Sequence, residues 1–201
     1  MSFQGLILIA CYLLGAFPTG LIVGKLAGGV DLRDHGSRNI GATNAWRVLG
    51  WKIGLTVFLI DVAKAFAAVA GGAALIGDGL SHADIWCGVA TLLGNFFNIF
   101  LGGKGGKGVA TSLGVFLALA PVPILICLAV FGIILKVSGY VSLGSICAAA
   151  LLPILVAGFV GIGPLFWMIL AMSTLVIVKH RANIVRLLNG TENKMGKKKA
   201  A

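Results

Sequence analysis

The chain has 201 residues; 59% of them are hydrophobic, only 11% are charged, and the formal net charge at pH 7 is +10. The mean hydropathy is +1.04. Because a soluble domain carries about 25% charged residues, this composition excludes a soluble globular protein and indicates one whose solvent is lipid. Helices are the expected spanning elements, since a helix satisfies its backbone hydrogen bonds internally.

Seven apolar segments are predicted to cross the membrane, since a spanning helix needs roughly 20 apolar residues. They cover residues 3–26, 52–76, 84–101, 109–121, 123–136, 141–160 and 163–179. The first has no basic residue before Lys25, so we interpret it as a retained span rather than a signal peptide. The fourth and fifth are short, and a hairpin around Pro121 and Pro123 is expected because closely spaced prolines cannot continue a helix. The alternative is one kinked helix and six spans.

The positions of the basic residues decide between seven spans and six. With seven, every Lys and Arg except Lys64 falls on one side, which the positive-inside rule assigns to the cytoplasm. With six, Lys136 and the basic tail would lie on the opposite side. The sequence therefore predicts an all-α integral membrane protein with seven transmembrane helices, its N-terminus outside and its C-terminus cytoplasmic. We interpret residues 1–201 as a single domain with a basic C-terminal tail from about 193 to 201.

The excess positive charge is assigned to topology and to attraction for anionic membrane lipid, above all at Lys197, Lys198 and Lys199. Nucleic acid is excluded as a partner, because the basic residues lie in short juxtamembrane loops. The four cysteines occur in or beside apolar segments without the spacing of zinc ligands. We therefore expect no disulfide, no metal and no cofactor.

A polar loop at residues 31–47 has the composition of an oxyanion site. It combines Gly, Ser, Asn, Thr and Arg, so it can present backbone N–H groups, hydroxyls and guanidinium donors together. If a helix begins at Ala42, then Thr43, Asn44 and Arg47 share one face at i+3/i+4 spacing. The alternative is a polar connector that ends in a helix cap.

A second loop, residues 102–108, reads Gly-Gly-Lys-Gly-Gly-Lys-Gly and directly precedes a predicted helix. No strand precedes it and no Ser or Thr follows a Gly-Lys pair, so it is not a nucleotide P-loop. Exposed backbone N–H groups, a helix N-terminus and lysines nevertheless favour a bound phosphate. The alternative is a flexible loop whose lysines only set the topology.

Two further polar clusters are predicted on the same side of the membrane. Ser142 and Ser145 lie three residues apart at the start of the sixth span, where helix capping is an equally good explanation. His180 and Asn183 lie three residues apart after the last span, followed by Arg186. An amphipathic interfacial helix would explain the apolar residues and arginines of that segment, but it does not require a histidine or an asparagine.

The four polar segments share donors and cations and have few carboxylates, so we expect them to converge on an anionic ligand, with phosphate the best candidate. Within the second span, Asp61 and Lys64 are interpreted as an ion pair, because an unpaired charge at that depth is costly. Asn95 and Asn98 either hydrogen-bond across helices or line the site.

Three motifs resemble those of the bacterial acyl-phosphate:glycerol-3-phosphate acyltransferases of the PlsY type. Residues 36–44 read Gly-Ser-Arg-Asn-Ile-Gly-Ala-Thr-Asn and are followed by Arg47; residues 105–111 read Gly-Gly-Lys-Gly-Val-Ala-Thr. Residues 180–192 carry His-Arg-Ala-Asn-Ile-x-Arg-Leu-x-x-Gly-x-Glu. The resemblance covers essentially the whole chain. Three positions depart from the usual pattern: Asn95 stands where a His is usual, Asn98 where a Pro is usual, and Ala182 where a Glu is usual.

The resemblance implies an enzyme that transfers a fatty acyl group from acyl phosphate to the sn-1 hydroxyl of glycerol 3-phosphate. The products would be lysophosphatidic acid and inorganic phosphate, in the first acylation of phospholipid synthesis. It also implies a multi-pass protein of the bacterial cytoplasmic (inner) membrane whose active site lies at the cytoplasmic face, without direct use of acyl-CoA or acyl carrier protein.

The same resemblance implies which residues carry the reaction. The matching catalytic and phosphate-binding candidates are Ser37, Arg47, Lys107, Ser145, His180 and Asn183, with Thr43, Asn44, Gly105, Gly106 and Gly108 in supporting substrate-binding roles. Arg47 and Lys107 would neutralise the two substrate phosphates, and a substrate phosphate oxygen would take the hydroxyl proton. A phosphate transporter and a non-catalytic lipid-binding scaffold are the rival interpretations of the same anion-binding loops.

Overall fold

The computed structural model describes residues 1–195, so the predicted basic run at Lys197, Lys198 and Lys199 lies outside the described residues. Every regular element within residues 1–195 is helical, as predicted. The α-helices are α1 (Phe3–Ala16), α2 (Thr19–Gly28), α3 (Ala42–Leu49), α4 (Trp51–Ile76), α5 (Ala83–Phe96), α6 (Val109–Leu119), α7 (Pro121–Ser138), α8 (Val141–Phe159), α9 (Pro164–Lys179) and α10 (Arg181–Leu188). Short 3-10 turns occupy Gly77–Gly79 and Ile99–Leu101.

The chain divides into two compact units. The first unit, Met1–Leu119, contains α1 to α6, and the second unit begins at Ala120 and contains α7 to α10. The first unit carries the two glycine-bearing loops, and the second unit carries the serine cluster and the His180–Asn183 segment, so each unit holds part of the predicted chemistry.

The helices have the length and composition of membrane spans. Four helical segments within residues 1–195 are long and apolar enough to cross a bilayer, and six are if each of two bent helix pairs counts as one span. Helix α6 is apolar but shorter than these. The structure therefore agrees with an integral membrane protein built from apolar helices, while the number of seven crossings and the orientation of the termini stay predictions.

The first predicted span is not one continuous helix. Helix α1 ends at Ala16, α2 begins at Thr19, and the two are bent by 42°. Pro18 explains the break, because proline lacks an N–H group and disfavours the helical conformation of the residue before it. Two side chains from other helices satisfy the main-chain oxygens released there: Asn98 Nδ2 donates to Ala16, and Lys64 Nζ donates to Phe17 at 2.6 Å.

The predicted ion pair in the second span is confirmed. Lys64 Nζ lies 2.7 Å from Asp61 Oδ1, and the two side chains are only 9% and 13% exposed. The same ammonium group donates to Thr19 Oγ1 at 3.0 Å. A charge inside a membrane span is tolerated only when it is paired or functional, and here the pair also holds the broken first span against α4.

The proline-rich segment between the fourth and fifth predicted spans is not a turn, which corrects the expected hairpin position. Helix α6 ends at Leu119, the break falls at Ala120, and Pro121 opens α7. Proline suits the first turn of a helix, because the N–H groups there have no intrahelical acceptor. The prolines therefore begin the fifth helix rather than separate it from the fourth.

Helices α1 and α5 pack unusually closely in the first unit. A Cβ at Gly15 would lie 1.9 Å from the main-chain oxygen of Thr91, and one at Gly94 would lie 2.0 Å from that of Tyr12. Such approach requires glycine on both helices, which is how small residues allow membrane helices to associate. The contact fixes the C-terminal end of α5, from which the glycine-rich loop departs.

Candidate active site

Asn44 organises the polar loop of the first unit. Its side chain is 1% exposed, and its Nδ2 group donates to the main-chain oxygens of Leu32, His35 and Asn39 at 3.0, 3.0 and 2.8 Å. Its Oδ1 accepts from the backbone N–H of Ser37 at 2.8 Å. The side-chain amide of Asn44 therefore bonds main-chain groups of this loop that no helix or strand satisfies. Asn44 is a positioning residue, because these bonds fix the shape of the loop.

The other candidates in this loop face outward. Helix α3 begins at Ala42 as predicted. The side chains of Ser37 and Arg47 are exposed, and that of Thr43 is half-buried. The structure thus leaves a hydroxyl and a guanidinium on the accessible side of a loop whose shape is fixed from beneath by Asn44.

A local ion pair neutralises the first carboxylate of the loop. Arg33 donates to Asp31 with an Nη2–Oδ2 distance of 2.6 Å. These hydrogen bonds lower the pKa of the Asp31 carboxyl to about 2, so it is ionised at neutral pH and paired with its neighbour. The negative charge of Asp31 is consequently paired with Arg33 rather than with the other cations of the loop.

The glycine-rich loop is packed directly onto the end of α5. The N–H of Gly106 donates to the main-chain oxygen of Asn95 at 3.1 Å, and that of Gly103 to Asn98 at 2.9 Å. A Cβ at Gly105 would lie 1.8 Å from the main-chain oxygen of Asn95. The close backbone contact shows that the loop is a structured element, which disagrees with the alternative of a flexible connector.

The loop ends at the N-terminus of α6. Gly108 has a positive φ of 78°, and the helix begins at Val109. The first N–H groups of a helix lack intrahelical acceptors and form the positive end of its dipole. With the half-buried Lys107 directly before them, these groups have the chemistry of an anion-binding site.

The two asparagines beside this loop have different environments. Asn98 bonds across helices: it donates to Ala16, and its Oδ1 accepts from the N–H of Phe100 at 3.0 Å. Asn95 is 9% exposed, and its Oδ1 is buried without a hydrogen-bond partner. Ser112 Oγ, in the first turns of α6, is also buried without a partner. The interpretation that these asparagines hydrogen-bond across helices therefore holds for Asn98. The Oδ1 atom of Asn95 has no hydrogen-bond donor.

In the second unit, Glu192 collects three donors. Its Oε1 accepts from Ser142 Oγ at 2.9 Å and from Asn183 Nδ2 at 2.7 Å. Its Oε2 pairs with Arg186 Nε at 2.6 Å, and the Glu192 side chain is only 6% exposed. The carboxylate thereby ties the start of α8 to α10 and fixes the Asn183 side chain.

The environment keeps this carboxylate ionised. Burial alone would raise the pKa of Glu192, but the three hydrogen bonds that it accepts outweigh burial and lower the pKa below its ordinary value. Sequence reasoning quoted Glu192 in a motif but gave it no role. One feature of the sequence could have indicated a role for Glu192: it is a lone carboxylate in a segment of cations and amides, and such a group needs partners when it is buried.

Ser145 and His180 are buried at 4% and 2% exposure. Ser145 Oγ donates to the main-chain oxygen of Val141 at 2.9 Å, which leaves its lone pairs as acceptors. His180 Nδ1 lies 2.8 Å from the main-chain oxygen of Val176. A carbonyl oxygen only accepts, so Nδ1 carries the proton in the neutral ring.

The site candidates therefore form two local arrangements. The first unit offers a serine, an arginine and a glycine loop with a lysine. The second unit offers a buried serine and a buried histidine, each bonded to a main-chain oxygen, and a buried asparagine that a carboxylate holds in place. That the polar segments of both units serve one site stays a prediction. Within residues 1–195, no group of three or more His, Cys, Asp or Glu side chains could hold a metal ion.

Comparison with known proteins agrees with this chemistry. The model of the family described as glycerol-3-phosphate acyltransferase matches residues 5–190. The glycerol-3-phosphate acyltransferase of Trichlorobacter lovleyi is 46% identical over 194 residues, which cover 94% of this chain and 97% of that protein. That of Geobacter sulfurreducens is 48% identical over 186 residues, which cover 91% of this chain and 93% of that protein.

The fold also matches a solved structure. The crystal structure of PlsY (YgiH), an integral membrane glycerol 3-phosphate acyltransferase in its glycerol 3-phosphate form, is 37% identical with a TM-score of 0.89. The match covers 97% of this chain and 96% of that chain. Its lysophosphatidic acid form matches with a TM-score of 0.86. Sequence, fold and site chemistry agree, and the chain belongs to the glycerol-3-phosphate acyltransferase family, in its integral membrane PlsY type.

Proposed function

We propose that the enzyme transfers a fatty acyl group from acyl phosphate to the sn-1 hydroxyl of glycerol 3-phosphate, which gives lysophosphatidic acid and inorganic phosphate. This reaction is the first acylation of phospholipid synthesis. The observation that carries the proposal is the glycine loop, whose backbone is pressed onto α5 and ends at the N-terminus of α6 beside Lys107. The glycerol 3-phosphate and lysophosphatidic acid forms of the solved relative support the acceptor and the product.

Both substrates are phosphorylated, so the first task of the site is to neutralise charge. In the first unit, Lys107 and the N–H groups that follow Gly108 bind one phosphate, and the exposed Arg47 and Ser37 donate to phosphate oxygens. Arg47 suits this role because its planar guanidinium presents several donors at once. Thr43, on the same helix, supports the same contact.

The chemical step is direct transfer without an acyl-enzyme. The sn-1 oxygen attacks the carbonyl carbon of the acyl phosphate, and the bond from that carbon to the phosphate oxygen breaks, with its electron pair leaving on phosphate. The hydroxyl proton moves to a phosphate oxygen, so no protein base is required. Positioned cations stabilise the negative charge that develops on the carbonyl oxygen and on the leaving group.

In the second unit, Ser145, His180 and Asn183 orient the substrates and stabilise the leaving phosphate. The hydrogen bond to Val176 fixes the tautomer of His180, and Glu192 fixes the amide of Asn183. Side chains held in this way lose little entropy when they bind a substrate.

The experiment that tests the proposal measures phosphate release from acyl phosphate by the purified protein, with and without glycerol 3-phosphate. Wild type should release phosphate in an acceptor-dependent manner and form lysophosphatidic acid in equal amount. Lys107→Ala and His180→Ala should each lose more than about 100-fold in kcat/KM, as expected for removal of one positioned charge or donor. Lys104→Ala is the matched control, because Lys104 is exposed in the same loop, and it should lose less than threefold.

Two results would contradict the proposal. A folded wild-type protein that consumes no acyl phosphate would favour the lipid-binding scaffold. A covalent acyl-protein trapped during turnover would replace direct transfer with a two-step mechanism.

We further propose that the protein crosses the bacterial cytoplasmic (inner) membrane seven times, with its N-terminus outside, its C-terminus in the cytoplasm and its active site at the cytoplasmic face. The distribution of Lys and Arg supports this orientation. Asp78 and Lys104 are both exposed, so cysteines there make a matched pair for labelling. Asp78→Cys should react with a membrane-impermeant maleimide in spheroplasts, and Lys104→Cys only after permeabilisation; the reverse pattern would invert the topology.

A further inference from the structure

A buried acceptor without a donor lies beside the glycine loop. Asn95 is 9% exposed at the C-terminal end of α5, and its Oδ1 has no hydrogen-bond partner. Leaving such a group unpaired is unfavourable, because its lost hydration is not replaced by a hydrogen bond. A buried, unpaired amide oxygen at this position is therefore explained if a ligand donates to it.

The glycine loop does not donate to this oxygen. The N–H of Gly106 donates to the main-chain oxygen of Asn95, not to its side chain. The side-chain oxygen nevertheless faces this part of the loop, since a Cβ at Gly106 would lie 3.3 Å from it. The amide oxygen of Asn95 therefore lies beside Gly106, two residues before Gly108 and the helix N-terminus that the proposed function assigns to phosphate.

The chemistry of the proposed substrates limits what this oxygen can bind. A phosphate monoester with a second pKa near 6 is mostly a dianion at neutral pH, so it has no O–H to donate and would be repelled by an acceptor. Glycerol 3-phosphate has two hydroxyl donors. The sn-1 hydroxyl gives its single proton to a phosphate oxygen in the proposed reaction, which leaves the secondary hydroxyl as the free donor.

We infer that Asn95 is a specificity-determining residue whose Oδ1 accepts a hydrogen bond from the secondary hydroxyl of glycerol 3-phosphate. The inference rests on the proposed function and adds to it the recognition of a hydroxyl that does not react. A site built to pair a substrate hydroxyl rejects an analogue that lacks it, because the protein group is then left unpaired.

The test compares glycerol 3-phosphate with 3-hydroxypropyl phosphate, which keeps the reacting hydroxyl and the phosphate but lacks the secondary hydroxyl. The measured quantity is the ratio of kcat/KM for the two acceptors, with acyl phosphate as donor. This ratio does not depend on how much of a variant is folded. Wild type should prefer glycerol 3-phosphate by about tenfold.

Two variants separate the side-chain acceptor from the rest of the residue. Asn95→Leu removes the oxygen at similar volume and should bring the ratio to about one, by slowing only the glycerol 3-phosphate reaction. Asn95→Asp keeps acceptor oxygens, so it should retain the preference although its charge slows both reactions.

Each other outcome overturns the inference. An unchanged ratio in Asn95→Leu would mean that the oxygen faces water or serves only the loop. Equal losses with both acceptors would mean a purely structural role. If wild type releases no phosphate with either acceptor, the proposed function itself fails, and that result is distinct from an active wild type whose ratio does not respond to Asn95.

Discussion

Replacing Glu192 by Gln tests whether one buried carboxylate holds the Asn183 segment in place. In the wild type, the carboxylate accepts hydrogen bonds from Ser142 and Asn183 and pairs with Arg186. Glutamine has nearly the same shape but only one carbonyl oxygen and no charge. The substitution thus removes the charge while it leaves the packing of the segment unchanged.

The expected cost follows from the three contacts. Arg186 is 37% exposed, so its pairing is screened by solvent and contributes only about 1 kcal/mol. The remaining oxygen of Gln can still accept from Ser142 and Asn183, but a neutral hydrogen bond is roughly half as strong, which loses about 0.5–1 kcal/mol at each contact. Glu192→Gln should therefore destabilise this segment by about 2–3 kcal/mol.

Hydrogen–deuterium exchange measures this local loss directly, because the segment can open without global unfolding. Amides of residues 181–192 should exchange about 30- to 150-fold faster in Glu192→Gln than in wild type, and kcat/KM should fall in the same variant. Thr191→Val is the control: Thr191 is exposed and its hydroxyl makes only a 3.4 Å contact, so exchange should stay within threefold. Exchange in Glu192→Gln that also stays within threefold would refute the role of the carboxylate.

The same carboxylate predicts a pH dependence. Its pKa is lowered in the folded protein, so its stabilising effect is complete above the unfolded pKa of about 4.3 and is lost as the pH falls through the lower folded value. The difference in exchange between wild type and Glu192→Gln should therefore be constant from pH 5 to 8 and shrink below about pH 4. A difference that grows as the pH falls would have the wrong sign for this group.

Three further substitutions test the rest of the scaffold. Asn44→Asp replaces three buried donor contacts with a carboxylate that faces carbonyl oxygens. As a result kcat/KM should fall more than tenfold and trypsin should cleave the loop faster. Unchanged cleavage would contradict a positioning role for Asn44. Lys64→Met leaves Asp61 unpaired inside a span and should cost about 3–5 kcal/mol, whereas adding Asp61→Asn should recover part of it, measured as thermal stability in detergent. Gly105→Ala places a Cβ 1.8 Å from a main-chain oxygen, so inorganic phosphate binding should weaken at least tenfold. Gly71→Ala, in α4 with open space around it and no positive φ, is the control and should leave phosphate binding unchanged.

Hydropathy and glycine content predicted most of the fold. The apolar segments became helices at nearly the expected positions, since a spanning segment has few alternatives to a helix. The break at Pro18 was missed, although the proline was visible in the sequence. Whether a proline breaks a span depends on whether other groups can donate to the carbonyl oxygens that the break leaves unpaired. Here the donors are the side chains of Lys64 and Asn98, which lie 47 and 82 residues away in sequence from the residues they contact.

The cations proposed for the site stand out in the sequence, whereas the residues that hold the polar loops in shape do not. Arg47 and Lys107 stand out because glycines and polar residues surround them in an apolar chain. Asn44 was expected on one helix face with Thr43 and Arg47, yet it lies beneath the loop, bonded to main-chain groups up to 12 residues away. Glu192 could not be assigned a role without knowing that Ser142, 50 residues earlier, lies within hydrogen-bond distance.

The positions of Asn44 and Glu192 explain why the polar segments contain few acidic groups. In the first unit the buried amide of Asn44 donates to backbone carbonyls, and in the second the buried carboxylate of Glu192 accepts from three donors. Each side chain fixes the shape of its own segment. Acceptors used in this way do not compete with phosphate for Arg47 and Lys107. Asn95 is the exception, since its acceptor is unpaired, and an unpaired acceptor in a site for anions can recognise only the part of the substrate that is not anionic. If Asn95 binds the secondary hydroxyl as inferred above, its oxygen adds to the selectivity for a glycerol phosphate over phosphate alone.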